Sequence, residues 1–223
     1  MRLSAAVMAH PARRPQVEQL LDRLDRDVPV AWARNARPST RPRDRWDTGR
    51  RAWQAHDPAA DWHLVLQDDA LPVPDLLAGL EAALPALPPR SICSPYFGVP
   101  GAEHERMLRA LQRAEERPGP WLRERAMHWG VAIAAPVESI PDMLAWCARN
   151  AVAPKPYDTR LMLFYRKRRY PCFFTWPSLV SHGDAPSLLG HRDGRRAHTF
   201  TGESALAWAR QAATTKVTRR SRA

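Results

Sequence analysis

Short apolar segments alternate along most of this chain with segments of helical periodicity, and this alternation limits the possible folds more than any other feature. The apolar segments predict strands at 3–8, 28–33, 62–67, 91–96 and 130–135, and an extended segment at 171–181. The periodic segments predict helices from about residue 15, and at 48–56, 74–84, 102–116, 139–150 and 159–166. Elements in this order typically form a mostly parallel sheet that helices cover on both faces. The sequence therefore predicts an α/β fold.

The chain of 223 residues has the length of one domain. We expect a single domain over residues 1–204, followed at 205–223 by a C-terminal helix and a basic, flexible tail. The longest apolar runs, such as 130–137, are far shorter than the roughly 20 residues of a membrane span, so we expect none. Three cysteines without CxxC spacing exclude a disulfide framework and a cysteine zinc site, and they predict a cytoplasmic protein.

Basic residues outnumber acidic ones by 34 to 23, which gives a formal net charge of +11. Nearly all of the basic residues are arginines, the exceptions being Lys155, Lys167 and Lys216. Such a surface favours an anionic partner: a nucleic acid, phospholipid headgroups or a phosphorylated small molecule. The codon usage of a G+C-rich genome accounts for the same composition equally well, so the charge alone does not select a function.

The strongest local signal is the acidic pair Asp68-Asp69, which directly follows the apolar segment 62–67. Open α/β sheets bind their ligands at the carboxyl ends of the strands. Carboxylate oxygens at that edge can hold Mg²⁺ or Mn²⁺, which share their coordination sphere with substrate phosphates. The alternative is that the pair only forms a turn, or caps the helix that follows Pro74.

Six segments, in order along the chain, resemble the nucleotide-sugar glycosyltransferases of the GT-A fold, of the family-2-like or lipopolysaccharide type. They are LSAAVMAHPARR at the start, DTGRRAWQAH at 47–56, the acidic motif LVLQDDA, HWGVAIAAP at 128–136, YDTRLMLFY at 157–165 and PSLVSHGDAPSLLGH at 177–191. The resemblance implies a Rossmann-like sheet and the transfer of a sugar from a nucleotide-sugar donor to an acceptor hydroxyl, with Mn²⁺ or Mg²⁺ as cofactor. The acceptor, a glycan, a protein or a nucleic acid, is left open. Gln67 departs from the family, in which an acid is common at this position.

The same resemblance implies roles for single residues. Asp69 and His182 would hold the metal ion. Asp158 would be the catalytic base that takes the proton of the acceptor hydroxyl, with Glu138 and Asp142 as alternatives. Capping of a helix is the competing role of Asp158. The residues expected to bind substrate are His10, Arg13, Arg50, Gln67, Asp68, Trp129 and Gly130.

A basic cluster precedes the central strand and leaves a second function open. It consists of Arg34, Arg37, Arg41, Arg43, Arg45, Arg50 and Arg51, opposed only by Asp44 and Asp47. We expect residues 34–45 to form a loop, and only one of Arg50 and Arg51 to face the site, because neighbouring helical residues point about 100° apart. A loop around His191 and His198 could fold over a bound diphosphate.

The alternative to an enzyme is a non-catalytic nucleic-acid-binding protein, favoured by the arginines and the basic tail. No zinc-finger, helix-turn-helix or RNA-recognition signature accompanies them. One protein would have both functions, sugar transfer and nucleic-acid binding, if the acceptor were itself an anionic polymer.

Overall fold

The computed structural model describes residues 1–39, 41–100, 105–116, 119–148, 155–183, 188, 196–200 and 202–215. The strands are β1 Leu3–Ala9, β2 Val30–Trp32, β3 Trp62–Gln67, β4 Ala70–Pro72, β5 Ile92–Ser94, β6 Trp121–Glu124, β7 Ala132–Pro136, β8 Cys172–Thr175 and β9 Val180–His182. The helices are α1 Arg14–Asp22, α2 Pro42–Gln54, α3 Leu76–Ala83, α4 Glu105–Glu116, α5 Ile140–Ala148, α6 Tyr157–Lys167 and α7 Ala205–Thr214. Within these ranges, no helix is long and apolar enough to cross a membrane.

Seven strands form one sheet in the order β2-β1-β3-β7-β5-β8-β6, and β4 pairs with β9 in a separate two-stranded sheet. Five strands of the large sheet point the same way, while β7 and β6 run against their neighbours. The sheet is therefore mixed and mostly parallel, as the alternation of strands and helices predicts. The reversed direction of β7 brings its amino end beside the carboxyl end of β3.

Helices cover both faces of the large sheet, as predicted. Alternate residues of β1 point to opposite faces, so Val7 belongs to one hydrophobic core and Ala6 to the other. The first core contains buried residues of α1, α3 and α7. The second contains buried residues of α2, α4, α5 and α6. Each face of the sheet thus has its own apolar layer, and the site described below lies at the strand ends between them.

Helix α2 begins at Pro42, so the prediction of a loop over 34–45 is wrong from residue 42 onward. Proline suits the first turn of a helix, where its missing N–H group is not needed. Trp46, Gly49 and Trp53 are buried and recur every three to four residues, which places them on one face of the helix. The many arginines hid this apolar face from composition-based reasoning. Strands β4 and β6 were not predicted either.

The C-terminal helix α7 belongs to the first core. Its Ala205, Trp208 and Ala212 are buried, and Gly79 of α3 approaches Ala205 so closely that a side chain at residue 79 would overlap it. Helix α7 extends to Thr214. Residues 216–223 lie outside the described part of the chain. Cys93, Cys147 and Cys172 are all buried and free.

Candidate active site at the carboxyl ends of the strands

The acidic pair lies where strands β1 and β3 end together. Asp68 and Asp69 follow β3 directly, and His10 follows β1, which pairs with β3 in parallel. The backbone N–H of His10 donates a hydrogen bond of 2.7 Å to Asp68 Oδ2. This hydrogen bond joins the segment LSAAVMAHPARR directly to the acidic pair.

Arg13 places one buried cation against both carboxylates. The short 3₁₀ turn Pro11–Arg13 after β1 directs this side chain toward the pair. Its Nε lies 3.8 Å from Asp68 Oδ1 and its Nη1 lies 3.6 Å from Asp69 Oδ2. Only 5% of the Arg13 side chain is exposed, so solvent screens these interactions weakly.

His182 reaches Asp69 because β9 pairs with β4, the strand that follows the acidic pair, and Ala70 stands opposite His182. The ring atom Nε2 lies 3.3 Å from Asp69 Oδ2. Nδ1 contacts the carbonyl oxygen of Gly183 at 2.7 Å. A carbonyl oxygen only accepts, so Nδ1 carries a proton. Nε2 donates to Asp69 when the ring is doubly protonated, and in the neutral ring its lone pair is available to a metal ion. This is the arrangement of metal-binding histidines, which donate their other N–H to an oxygen.

The two carboxylates have opposite pKa shifts. Burial and the charge of Asp69 raise the pKa of Asp68 to about 6, against the smaller effects of the His10 amide and Arg13. Burial also acts to raise the pKa of Asp69, but the hydrogen bond and charge of His182 and the charge of Arg13 outweigh it, so that pKa is lowered. Asp69 is therefore ionised throughout the physiological range, while Asp68 titrates just below neutrality.

The residues present fit part of a divalent-metal site. Two ligands on neighbouring positions of an octahedral ion with bonds of about 2.1 Å are about 3 Å apart, close to the 3.3 Å between His182 Nε2 and Asp69 Oδ2. Asp69 Oδ1 is buried without a hydrogen-bond partner in the described part of the chain. No group of three or more acidic, histidine or cysteine side chains that could hold a metal occurs among the described residues. The remaining positions would have to be filled by substrate or water, as is usual for Mg²⁺.

Gln67, Gly130 and Asp158 meet beside the acidic pair. The N–H of Gln67 donates to the carbonyl of Val131 at 2.8 Å, since the amino end of the reversed β7 adjoins the end of β3. A Cβ atom at Gly130 would lie 3.0 Å from Gln67 Nε2 and 3.2 Å from Asp158 Cβ. Three predicted residues from three separate segments thus lie close together, and a side chain at 130 would crowd Gln67 and Asp158.

Asp158 is the second residue of α6, after Pro156 at the N-cap position. Its Oδ1 accepts a hydrogen bond of 2.7 Å from the N–H of Thr159. The carboxylate therefore satisfies one of the unpaired N–H groups of the first helical turn, while the Cβ of Asp158 lies near Gly130. The capping role and the proposed chemical role are compatible with this geometry.

Tyr157 and Gly49 position the start of α6, and sequence reasoning missed both. The ring of Tyr157 fills the space that a side chain at Gly49 would need. Its hydroxyl accepts a hydrogen bond of 2.8 Å from Trp53 Nε1. A glycine inside a helix that also carries two buried tryptophans was the available signal, because such a glycine often marks a close contact between elements.

Other predicted residues lie elsewhere. Arg50 donates to Asp47 and to Gln54, both of which belong to its own helix α2. Its neighbour Arg51 instead reaches the carboxyl end of β2, where Nη2 donates to the Trp32 carbonyl at 2.6 Å. Arg51 therefore lies at the strand ends, whereas Arg50 was the residue expected there.

Trp129 is next to Gly130, packs edge-on against Tyr96, Phe97 and Phe174, and is half-buried. Trp176 is buried and stacks on His198. His198 also contacts Glu115 at 3.3 Å, and His191 lies outside the described residues.

Glu138 and Asp142, the alternative bases, follow the carboxyl end of β7, which lies at the opposite edge of the sheet because β7 is reversed. Asp142 pairs there with Arg168 at 2.7 Å. The structure removes both residues from the candidate site.

No protein-family model matches the chain, and a search of curated proteins finds no match.

Proposed function

We propose that this protein is a glycosyltransferase with a GT-A-type fold, which transfers a sugar from a nucleotide-sugar donor to an acceptor hydroxyl. The observation that carries the proposal is the arrangement around Asp69. Its Oδ2 atom lies 3.6 Å from Arg13 Nη1 and 3.3 Å from His182 Nε2, and Gln67, which precedes the acidic pair, lies close to Gly130 and Asp158. The acceptor stays open between a glycan, a protein and a nucleic acid.

On the donor side, the site is suited to a diphosphate that carries negative charge. Asp69 and His182 would hold a Mn²⁺ or Mg²⁺ ion, which when bound stabilises the negative charge of the leaving diphosphate. The Gly183 carbonyl orients the His182 ring. Arg13 balances the charge of the acidic pair from the buried side. Asp68, held by the His10 amide, is available to accept hydrogen bonds from the ribose hydroxyls.

On the acceptor side, Asp158 would take the proton of the attacking hydroxyl. The Thr159 amide holds one oxygen of its carboxylate in place. The lack of a side chain at Gly130 lets Asp158 and Gln67 approach each other. The attacking hydroxyl and the donor would then meet between the acidic pair and α6.

Thermal unfolding with nucleoside diphosphates, in the presence and absence of Mn²⁺, tests the donor side. A ligand at 100 times its dissociation constant stabilises the folded state by about 2.7 kcal/mol. We expect stabilisation that requires Mn²⁺ in the wild type and that Asp69→Asn and His182→Gln abolish. The exposed Asp27→Asn serves as the control and should respond like the wild type. Equal stabilisation of Asp69→Asn would rule out the metal site.

A non-catalytic nucleic-acid-binding protein is the second candidate, favoured by exposed arginines between β2 and α2. Cleavage of a nucleotide sugar by the purified protein distinguishes the two candidate functions, because only the transferase would show it. We also propose a cytoplasmic location, because three buried free thiols suit a reducing compartment.

A further inference from the structure

Four exposed arginines form a strongly basic surface between β2 and the first turns of α2. We call Arg34, Arg37, Arg41 and Arg43 the arginine surface. All four are exposed, and 73% of the Arg34 side chain and 91% of the Arg43 side chain are accessible to solvent.

The nearby acids do not balance this charge. Asp47 is shared between three arginines, Arg34, Arg50 and Arg51, at distances of 2.8 to 3.1 Å. The carboxylate of Asp44 accepts a hydrogen bond of 2.6 Å from the Ser39 hydroxyl and lies 3.8 Å from Arg43 Nε. The arginine surface therefore keeps a net positive charge in the folded protein.

Two of these arginines, Arg41 and Arg43, are unfavourable for the stability of helix α2. Arg41 occupies the N-cap position of α2 without a side-chain capping bond, and Arg43 follows in the first turn. The amino end of a helix is the positive end of its dipole, where cations are unfavourable. Their presence therefore needs a reason other than the stability of α2.

The arginine surface begins next to the candidate active site. The N–H of Ala33 donates to the Ala9 carbonyl at 2.6 Å, and the next residue after Ala9 is His10, which bonds Asp68. The chain thus passes from the edge of the site directly into Arg34. A polymer bound along these arginines would lie at the carboxyl edge of the sheet, where the proposed sugar transfer takes place.

The composition of this surface suits a nucleic acid rather than a membrane. Proteins that bind membrane surfaces usually insert apolar side chains beside their basic residues. In the described part of the chain, the exposed large apolar residues lie outside the arginine surface; they are Met1, Val99, Leu108, Phe200 and Leu206. Arginine itself pairs with phosphate oxygens through two parallel N–H groups.

We propose that the arginine surface binds the phosphodiester backbone of a nucleic acid, and that a nucleic acid bearing a free hydroxyl group is the acceptor. The second half of this inference rests on the proposed transferase function, whereas the first half does not. Because phosphate contacts carry no base information, binding should depend weakly on sequence and strongly on salt.

The test is the binding of a fluorescent 20-base-pair DNA duplex of mixed sequence, measured by anisotropy at several salt concentrations. Each phosphate contact adds about −0.9 to the slope of log K against log salt. We expect a wild-type slope of about −3 or steeper. In the triple variant Arg37→Gln, Arg41→Gln, Arg43→Gln the slope should be shallower by about 2 to 3, with weaker binding at every salt concentration.

The chain offers a matched control at the opposite edge of the sheet. Arg166, Lys167 and Arg169 are also exposed and lie at the carboxyl end of α6, about 12 Å or more along the helix from Asp158. The triple variant Arg166→Gln, Lys167→Gln, Arg169→Gln removes the same charge and should keep the wild-type slope.

Three results would overturn the surface assignment: a wild-type slope shallower than about −1, equal losses in the two triple variants, or preferential binding to vesicles of anionic lipid. The wild-type slope is informative even where a variant does not fold. Failure of DNA binding together with intact nucleotide-sugar cleavage rejects this inference and leaves the proposed function standing. DNA binding by a protein that cleaves no nucleotide sugar rejects the transferase and the acceptor assignment together.

Discussion

Asp68 is a carboxylate whose surroundings favour its protonated form. Burial and the neighbouring charge of Asp69 raise its pKa to about 6 from the ordinary value of 3.8. The folded protein therefore binds this proton more tightly than the unfolded chain. Stability should accordingly fall as the pH rises from about 4 to about 6, because ionisation is then easier in the unfolded state. A residue that costs stability at neutral pH is typical of a site kept for function.

Asp68→Asn should stabilise the protein at neutral pH. The amide keeps an oxygen for the His10 N–H but removes the buried charge, so we expect a gain of about 1 to 3 kcal/mol at pH 7.5 and little change at pH 4. Urea unfolding at both pH values measures the difference, with the exposed Asp27→Asn as control. A variant less stable than the wild type at pH 7.5 would show that the charge of Asp68 is needed by the fold.

Asp158 combines a structural contact with a proposed chemical one, and two substitutions separate them. Asp158→Asn keeps an oxygen for the Thr159 amide but cannot take a proton. Transfer should therefore fall by about 10² to 10⁴ while the affinity for the nucleotide sugar stays near the wild-type value. Asp158→Ala should in addition lose about 1 kcal/mol of stability, because one first-turn N–H group then lacks its partner. Unchanged turnover in Asp158→Asn would reject Asp158 as the base.

At the scale of elements, the contact between α2 and α6 sets the position of Asp158. Gly49 and Tyr157 share the space between the two helices, and the hydroxyl of Tyr157 is tied to Trp53. Alanine normally favours a helix over glycine by about 1 kcal/mol. A larger residue at 49 would nevertheless have to displace a buried ring and, with it, the start of α6.

Gly49→Ala should therefore destabilise the protein by about 1 to 3 kcal/mol, against its helix propensity, because the added methyl group overlaps the Tyr157 ring. Gly119→Ala is the matched control, since no atom lies within 4 Å of a Cβ there, and it should change stability by less than about 0.5 kcal/mol. Thermal unfolding of both variants measures these changes in stability. Equal effects of the two substitutions would contradict the close packing of α2 against α6.

Elements with a simple apolar pattern were predictable, and those that depend on contacts were not. Strand β3 coincides with the predicted segment 62–67, since a short, mostly apolar segment that ends in two acids has few other interpretations. The start of α2 was missed because Arg41, Pro42 and Arg43 precede the first buried residue of the helix, Trp46. The meeting of Gln67, Gly130 and Asp158 was implied by a resemblance alone, because it depends on the reversed direction of β7, which no local pattern reveals.

At the scale of the whole molecule, the carboxyl edge of the sheet concentrates charge of both signs. The acidic pair and its buried cation lie at the ends of β1 and β3, and the arginine surface begins at the end of β2. The opposite edge carries the ion pair of Asp142 and Arg168. The proposed donor and acceptor sites are thus neighbours on one edge, as a transfer reaction between them requires.

The most direct test of the central claim is the release of a nucleoside diphosphate from a panel of nucleotide sugars by the purified protein with Mn²⁺. We expect release from at least one donor, its loss on chelation and in Asp69→Asn, and wild-type release in Asp27→Asn. Addition of a nucleic-acid acceptor should accelerate it. If Asp69→Asn released the nucleoside diphosphate as fast as the wild type, or if no nucleotide sugar gave any release, the proposal that this site transfers sugars would be contradicted.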